Sequence, residues 1–265
     1  MLIPLAIVHG SNVVYLNEYT IPTSGVPFYG AATAVDHSGN IWFYDTFDTP
    51  GYYDLWRYVP STGVYSSSFT HSYALAGGIC FDSSGNVWFS GYDDNTLNEF
   101  VPSTGKFSSW TIPTSNSNPH GLKFDSAGNI WLVEESGNKV ARFVVSTSSF
   151  TEWTIPTPSS SPWGIGIDST GNIWFTERDG NKIGEFVAAT MSFNEYPIPT
   201  ASSSPRGLGL DSSGNVWFAE ESGDKIGKFV PSTGKFTEYP LPTKFFLSCL
   251  NGLTVDSTGV VWFAE

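Results

Sequence analysis

The chain has 265 residues, with 16% aromatics, 27 Gly, 17 Pro and only 14% charged residues. That balance suits short strands joined by tight turns and excludes a disordered chain or one of long helices. The charge, 12 basic against 25 acidic residues for a net of −13, excludes a nucleic-acid partner, which needs a basic face to displace counterions. Cations and neutral ligands are the partners such a field tolerates.

The chain opens on the apolar stretch MLIPLAIV, which is too short to span a bilayer and has no basic flank of the kind an export signal carries. From there one phrase, D-x-x-G-N-[IV]-W-F, recurs to the end. It starts at Asp36, Asp82, Asp125, Asp168, Asp211 and Asp256, a period of roughly 44 residues. Each period reads as four strands, A to D. Strand A is short and apolar, as in Gly164 to Ile167. The D-x-x-G-N segment then turns the chain, with Asp capping the turn and Gly supplying a positive φ. Strand B is the N-[IV]-W-F-x-E run. A turn such as S-G-N leads to strand C (Lys182 to Val187), and a turn such as Pro231 to Gly234 leads to strand D (Phe236 to Tyr239). A P-x-P-T segment such as Pro240 to Thr243 closes the period at a strand end, where proline is tolerated.

Four antiparallel strands in this length make one propeller blade; helical repeats would show a 3.6-residue period. At the N-terminus, Leu16 to Thr23 matches strand D and Leu5 to Tyr15 lies where strand C falls. The chain stops at Glu265, the end of a strand B. The expected fold is therefore an all-β propeller of six four-stranded blades in one domain, 1–265. The sixth blade takes two strands from each terminus, which satisfies the edges an open sheet would expose. The alternative is a fragment of a seven-bladed propeller.

Antiparallel order puts the starts of A, the B–C turns and the D–A loops on one face, the top. The residue before the strand-A glycine changes from blade to blade: Gly77, His120, Trp163, Arg206 and Asn251, with Tyr29 or Ala31 in the first. Unlike the strand cores these do not repeat, so Trp163, Arg206, Asn251 and Tyr29 are candidate ligand contacts. Strand B ends in Asp45, Gly91, Glu134, Glu177, Glu220 and Glu265, and Glu135 and Glu221 follow two of these. The hairpin around Ala127-Gly128 puts His120 near Glu134 or Glu135. A His beside carboxylates suits a general base or a divalent-cation site. A repeat-wide acid equally suits a structural role, bonded to backbone or to a Lys such as Lys139. Two irregular loops add aromatics, Phe47, Tyr52 and Tyr53 in one and Phe245 and Phe246 in the other. They suit a rim for a bulky, partly apolar ligand, or packing on one another. A small-molecule or peptide-like ligand at the top face and a monomeric chain are expected.

Other features are ordinary vocabulary. The D-x-x-G-N turns lack the distal Glu of a calcium loop, the strand-B Trp residues are blade core, and His9, His37 and His71 are incidental. Cys80 and Cys249 are too few for a disulfide framework. The chain has no P-loop, G-x-S-x-G or CxxC. Few lysines and Ser/Thr-rich loops lean toward export.

The combination P-[HWR]-G-[LI], D-S-x-G-N-[IV]-W-F-x-E, G-[ND]-K-[IV]-G-x-F and [TN]-E-[YW]-x-[IL]-P-T resembles the streptogramin B lyases (virginiamycin B lyases) over nearly the whole chain. The resemblance implies a seven-bladed propeller that opens the ester of a cyclic depsipeptide by elimination with Mg²⁺, a His removing the proton α to the carbonyl. It implies two His in P-H-[AG]-I segments of adjacent blades, a Glu two residues before one, and a Glu ending its strand B. Here Pro119-His120-Gly121-Leu122 supplies one His, with Glu134 and Glu135 as the carboxylates for Mg²⁺. Asn118 stands two residues before His120, and Gly77 and Trp163 stand where the second His would be. Three readings follow: a metal-assisted lyase, a non-catalytic ligand- or protein-binding propeller, and a lactonase-like hydrolase with a central Ca²⁺.

Overall fold

A computed structural model describes residues 2–9, 12–20, 33–45, 52–72, 76–241, 252–256 and 258–264. All regular elements among them are strands, and no helix there is long and apolar enough to cross a membrane. The fold is an all-β propeller. The chain starts with β1 (Leu2–His9) and β2 (Asn12–Thr20). Next come β3 (Thr33–Val35), β4 (Ile41–Asp45), β5 (Tyr52–Val59) and β6 (Val64–Ser72), then β7 (Ala76–Phe81), β8 (Val87–Gly91), β9 (Thr96–Val101) and β10 (Lys106–Thr111). The third set is β11 (Pro119–Phe124), β12 (Ile130–Glu134), β13 (Lys139–Val144) and β14 (Ser149–Thr154), and the fourth β15 (Pro162–Ile167), β16 (Ile173–Glu177), β17 (Lys182–Val187) and β18 (Ser192–Pro197). The fifth is β19 (Pro205–Leu210), β20 (Val216–Glu220), β21 (Lys225–Val230) and β22 (Lys235–Pro240), followed by β23 (Leu253–Val255) and β24 (Val261–Ala264).

Consecutive strands thus build five four-stranded blades rather than six. The other four strands, two from each end, pair in the order β2-β1-β24-β23, with Leu5 opposite Ala264 and Val8 opposite Val261. The chain divides into two compact units. One, 22–153, holds the first three blades; the other, 2–21 with 154–265, holds the fourth and fifth blades and the terminal sheet.

Burial explains the strand vocabulary. β8, β12 and β16 are buried along their whole length, and their first three residues are apolar on both faces. The outermost strands β14 and β18 alternate exposed and half-buried residues, as a strand covered on one face must. In the first unit, Trp88, Leu97 and Ile112 of one blade pack on Leu122, Ile130 and Phe143 of the next. In the second, Trp174, Ile183 and Ile198 meet Leu208, Val216 and Phe229, while Ala219 and Ile226 meet Leu253, Val261 and Phe263 of the terminal sheet.

The D-x-x-G-N turn does more than reverse the chain. Asp168 Oδ1 accepts from the Thr170 and Asn172 amides at 2.8 and 3.0 Å, and Oδ2 accepts from Trp174 Nε1 at 2.9 Å. Gly171 holds φ at +87°, where a Cβ would be strained. The same indole bond recurs from Trp42, Trp88, Trp131, Trp217 and Trp262 to the Asp six residues earlier. One carboxylate therefore fixes the turn and orients the core Trp. Burial alone would raise the Asp168 carboxyl, but bonds from Thr170, Trp174 and Asn172 hold it below the usual range. Cys80 is a buried free thiol pushed up to about 12 by burial, and Cys249 lies outside the described residues.

Within each unit, polar groups also latch the P-T segment to the outer strands that follow it. Thr157, from the P-T after β14, donates its amide and hydroxyl to Glu195 of β18 at 2.9 and 2.8 Å, and Lys182 of β17 reaches the same carboxylate at 2.9 Å. Thr114, Lys139 and Glu152 repeat this set, as do Thr200, Lys225 and Glu238. The P-x-P-T segment is thus half of a seam between blades as well as a strand end.

Candidate functional site

The first strands β7, β11, β15 and β19 each carry one extra residue against their partner. Pro119 faces Glu134 and Leu122 faces Leu132, so one residue among His120 and Gly121 has no counterpart. The same slip occurs at Pro162/Ile165, Pro205/Leu208 and Ala76/Ile79. A β-bulge re-aims the side chain it carries. The variable residues Gly77, His120, Trp163 and Arg206 all sit on these bulges.

In the first unit the bulge brings His120 to Glu135. His120 Nε2 lies 3.1 Å from Glu135 Oε2, with the two residues only 6% and 8% exposed. Ser90 Oγ donates to the His120 carbonyl at 2.9 Å, and the Tyr92 ring stands edge-on to the imidazole at 5.0 Å. Asn118, at φ +49°, accepts from the Glu135 amide at 3.1 Å, and its side chain donates to the Tyr92 carbonyl at 3.1 Å. Both partners of the His–Glu pair are therefore held through their backbones. A carboxylate on Nε2 fixes which ring nitrogen carries the proton.

Glu134 points elsewhere. It is fully buried at the Thr114–Lys139–Glu152 seam, against Gly137, where a Cβ would come within 2.6 Å of its Oε2. Burial, with the Glu152 carboxylate beside it, pushes its acid up to about 8. Glu177 and Glu220 repeat this at about 8 and 7, for the same reasons with Glu195 and Glu238 as neighbours. The two adjacent carboxylates thus do not converge: Glu135 meets His120, and Glu134 belongs to the seam. Among the described residues no group of three or more His, Cys, Asp or Glu is arranged to hold a metal ion.

In the second unit, Trp163 lies on β15, which packs so closely on β19 that a Cβ on Gly164 would collide with the Arg206 carbonyl. The Arg206 guanidinium sits 4.4 Å from the Trp163 ring centroid, and that of Arg178 sits 5.3 Å away. Arg206 Nε pairs with Glu221 at 2.7 Å. Arg178 binds Asp179 through Nε and Nη2 at 3.0 and 3.2 Å, and Ser161 donates to Asp179 at 2.6 Å. Of the remaining sequence candidates, Asn251, Tyr29, Phe245 and Phe246 lie outside the described residues.

Sequence reasoning missed Tyr92 and Arg178. Both follow the last residue of a strand B, as Glu135 and Glu221 do. They stand 15 residues after Gly77 and Trp163, the offset that separates His120 from Glu135 and Arg206 from Glu221. That offset is the signal that would have found them.

The sequence profile of the virginiamycin B lyase family matches residues 14–265, and the chain belongs to that family. No curated relative matches the sequence. The fold is similar to selenomethionine-substituted virginiamycin B lyase from Staphylococcus aureus, 23% identical over 99% of this chain and 87% of that one, with a TM-score of 0.76. It is also similar to a catalytically inactive variant of that enzyme with quinupristin, 23% identical over 100% and 95%, TM-score 0.79. A putative gluconolactonase is 14% identical over 90% and 88%, TM-score 0.65. At such identities these likenesses show the propeller fold alone.

Proposed function

We propose that this member of the virginiamycin B lyase family opens an ester in a cyclic depsipeptide by elimination, with His120 as general base. His120 takes the proton α to a carbonyl, the ester C–O bond breaks, and the ester oxygen leaves as a carboxylate. Glu135 orients the imidazole through Nε2. The observation that carries this reading is the buried His120–Glu135 contact of 3.1 Å on a bulge. Mg²⁺, implied by the resemblance, fits these donors poorly. It prefers several oxygen ligands in octahedral geometry, whereas His120 and Glu135 supply one nitrogen and one carboxylate, with Glu134 directed into the seam.

The test is incubation with quinupristin, with and without EDTA. Elimination gives a linear product of unchanged mass, whereas hydrolysis by a lactonase-like route gives one heavier by a water. An isomeric product that is lost in His120→Ala supports the proposal. No opening at all leaves the binding reading, which the Trp163–Arg206 stack supports. We also propose that β1, β2, β23 and β24 form a sixth blade joined from both ends of the chain, supported by the pairing of Leu5–Val8 with Val261–Ala264.

A further inference from the structure

We infer that Trp163, Arg178 and Arg206 form a recognition site for a planar aromatic group of a ligand. The inference rests on the ligand-binding reading of the bulge positions and adds Arg178 and the chemistry of the ligand. Three observations carry it. First, Trp163 stands apart from the repeat's own Trp residues. Those of the second strands are tied by Nε1 to a turn Asp, whether buried as Trp42, Trp88, Trp131 and Trp174 are or half-buried as Trp217 is, whereas Trp163 sits half-buried on a first-strand bulge.

Second, the indole has two guanidinium partners, Arg206 on β19 at 4.4 Å and Arg178 in the turn after β16 at 5.3 Å. Indole and guanidinium are both flat and polarisable, and both stack on aromatic rings. Third, the charge is balanced within the cluster. Arg206 is paired with Glu221 at 2.7 Å, and Arg178 with Asp179 at 3.0 Å. A bare pair of arginines would select an anion; arginines already matched by carboxylates gain little from one. What the set offers is stacking area held rigid by its own ion pairs, which suits an uncharged ring.

The equivalent positions in the first unit carry Gly77, Tyr92 and His120, with Glu135 in the place of Glu221. The backbone slip is shared, so the side chains rather than the scaffold set what each bulge pair does.

The experiment uses the full chain labelled with ¹⁵N at the tryptophan indoles. The Trp163 signal is assigned by its loss in Trp163→Phe. N-acetyl-L-phenylalaninamide is titrated against N-acetyl-L-leucinamide and acetate. The expected result is a saturable shift of the Trp163 signal with the aromatic amide, at least tenfold weaker with the aliphatic one. Arg178→Ala should weaken the response at least threefold without moving the thermal midpoint. A Trp163 signal that stays still, moves equally with leucinamide, or follows acetate overturns the inference. So does an Arg178→Ala variant that keeps the full response. Turnover of quinupristin plays no part in the readout, so failure of the lyase reading and failure of this one are separate results.

Discussion

Glu134 and Glu135 are neighbours in the chain and belong to two regions that follow different rules. Glu134 lies in a seam whose parts repeat: Thr114, Gly137, Lys139 and Glu152 become Thr157, Gly180, Lys182 and Glu195, then Thr200, Gly223, Lys225 and Glu238. Glu135 belongs to a bulge pair that changes at each occurrence, from Gly77 and Tyr92 to His120 and Glu135, Trp163 and Arg178, and Arg206 and Glu221. The seam cannot vary freely because a buried carboxyl tolerates only a narrow set of neighbours. The bulge pair can vary because its backbone is fixed by the slip in register, whatever the side chain.

The second blade shows how strictly the seam keeps its carboxyl. Gly91 ends β8 where the later blades have Glu, and Asp94 stands where they have Gly. A Cβ on Gly91 would collide with Asp94 Oδ1, as one on Gly137 would with Glu134. The acid and the glycine have exchanged positions, and the carboxyl remains near the end of the second strand. The Lys and Glu of the latch are absent there, replaced by Thr96 and Ser109, and Thr96 donates to Asp94. The carboxyl is therefore retained without the ion pair that accompanies it elsewhere.

The largest expected effect is on the pH dependence of the seam. Glu134, Glu177 and Glu220 bind protons more tightly when folded, at about 8, 8 and 7. Their contribution to stability is full below the ordinary glutamate value of 4.5 and is lost as pH rises from there through the folded values of 7 to 8, by about 1.4 kcal/mol per pH unit for each group between the two. Glu152, Glu195 and Glu238 are held low, burial being outweighed by bonds from the Lys and Thr of each latch, so their contribution is lost as pH falls. Stability should therefore peak on the acid side of neutrality. Denaturation midpoints from pH 4 to 9 should show this, and Glu177→Gln should flatten the alkaline limb.

Breaking one latch comes next. Glu195→Ala leaves Lys182 without its ion-pair partner and the Thr157 amide without its acceptor, and should cost about 2 kcal/mol in urea denaturation with an unchanged slope. Asp168→Ala removes a turn bond and the Trp174 indole partner together, for about 1–2 kcal/mol by the same measurement. At the bulge, by contrast, Trp163→Leu should change stability by less than about 1 kcal/mol, since the residue is half-buried and outside the blade cores. A loss as large as that of Glu195→Ala would erase the distinction between the regions.

Much of the scaffold was legible because one local phrase specifies it. Asp, Gly and Asn mark the turn, and the W-F run marks a strand buried on both faces. The indole bond to the same Asp was less visible, since a turn cap already accounts for that carboxylate. The latch was hidden by distance, Thr157 and Glu195 lying 38 residues apart in different repeats. At the site, hairpin pairing around Ala127-Gly128 leaves Glu134 and Glu135 as equal candidates for His120. A one-residue slip decides between them, and an extra residue in a strand leaves no mark in a sequence whose strand starts already vary. At the N-terminus the phase of the repeat places strands over Leu5 to Tyr15 and Leu16 to Thr23, whereas β1 and β2 run over Leu2–His9 and Asn12–Thr20.

The most direct test sets the two neighbouring glutamates against each other. Quinupristin turnover and thermal midpoint are measured for Glu134→Gln and Glu135→Gln. The account predicts that Glu135→Gln loses at least tenfold in turnover with its midpoint unchanged, while Glu134→Gln keeps its turnover and loses part of the alkaline decline in stability. Turnover abolished in Glu134→Gln and intact in Glu135→Gln would contradict it.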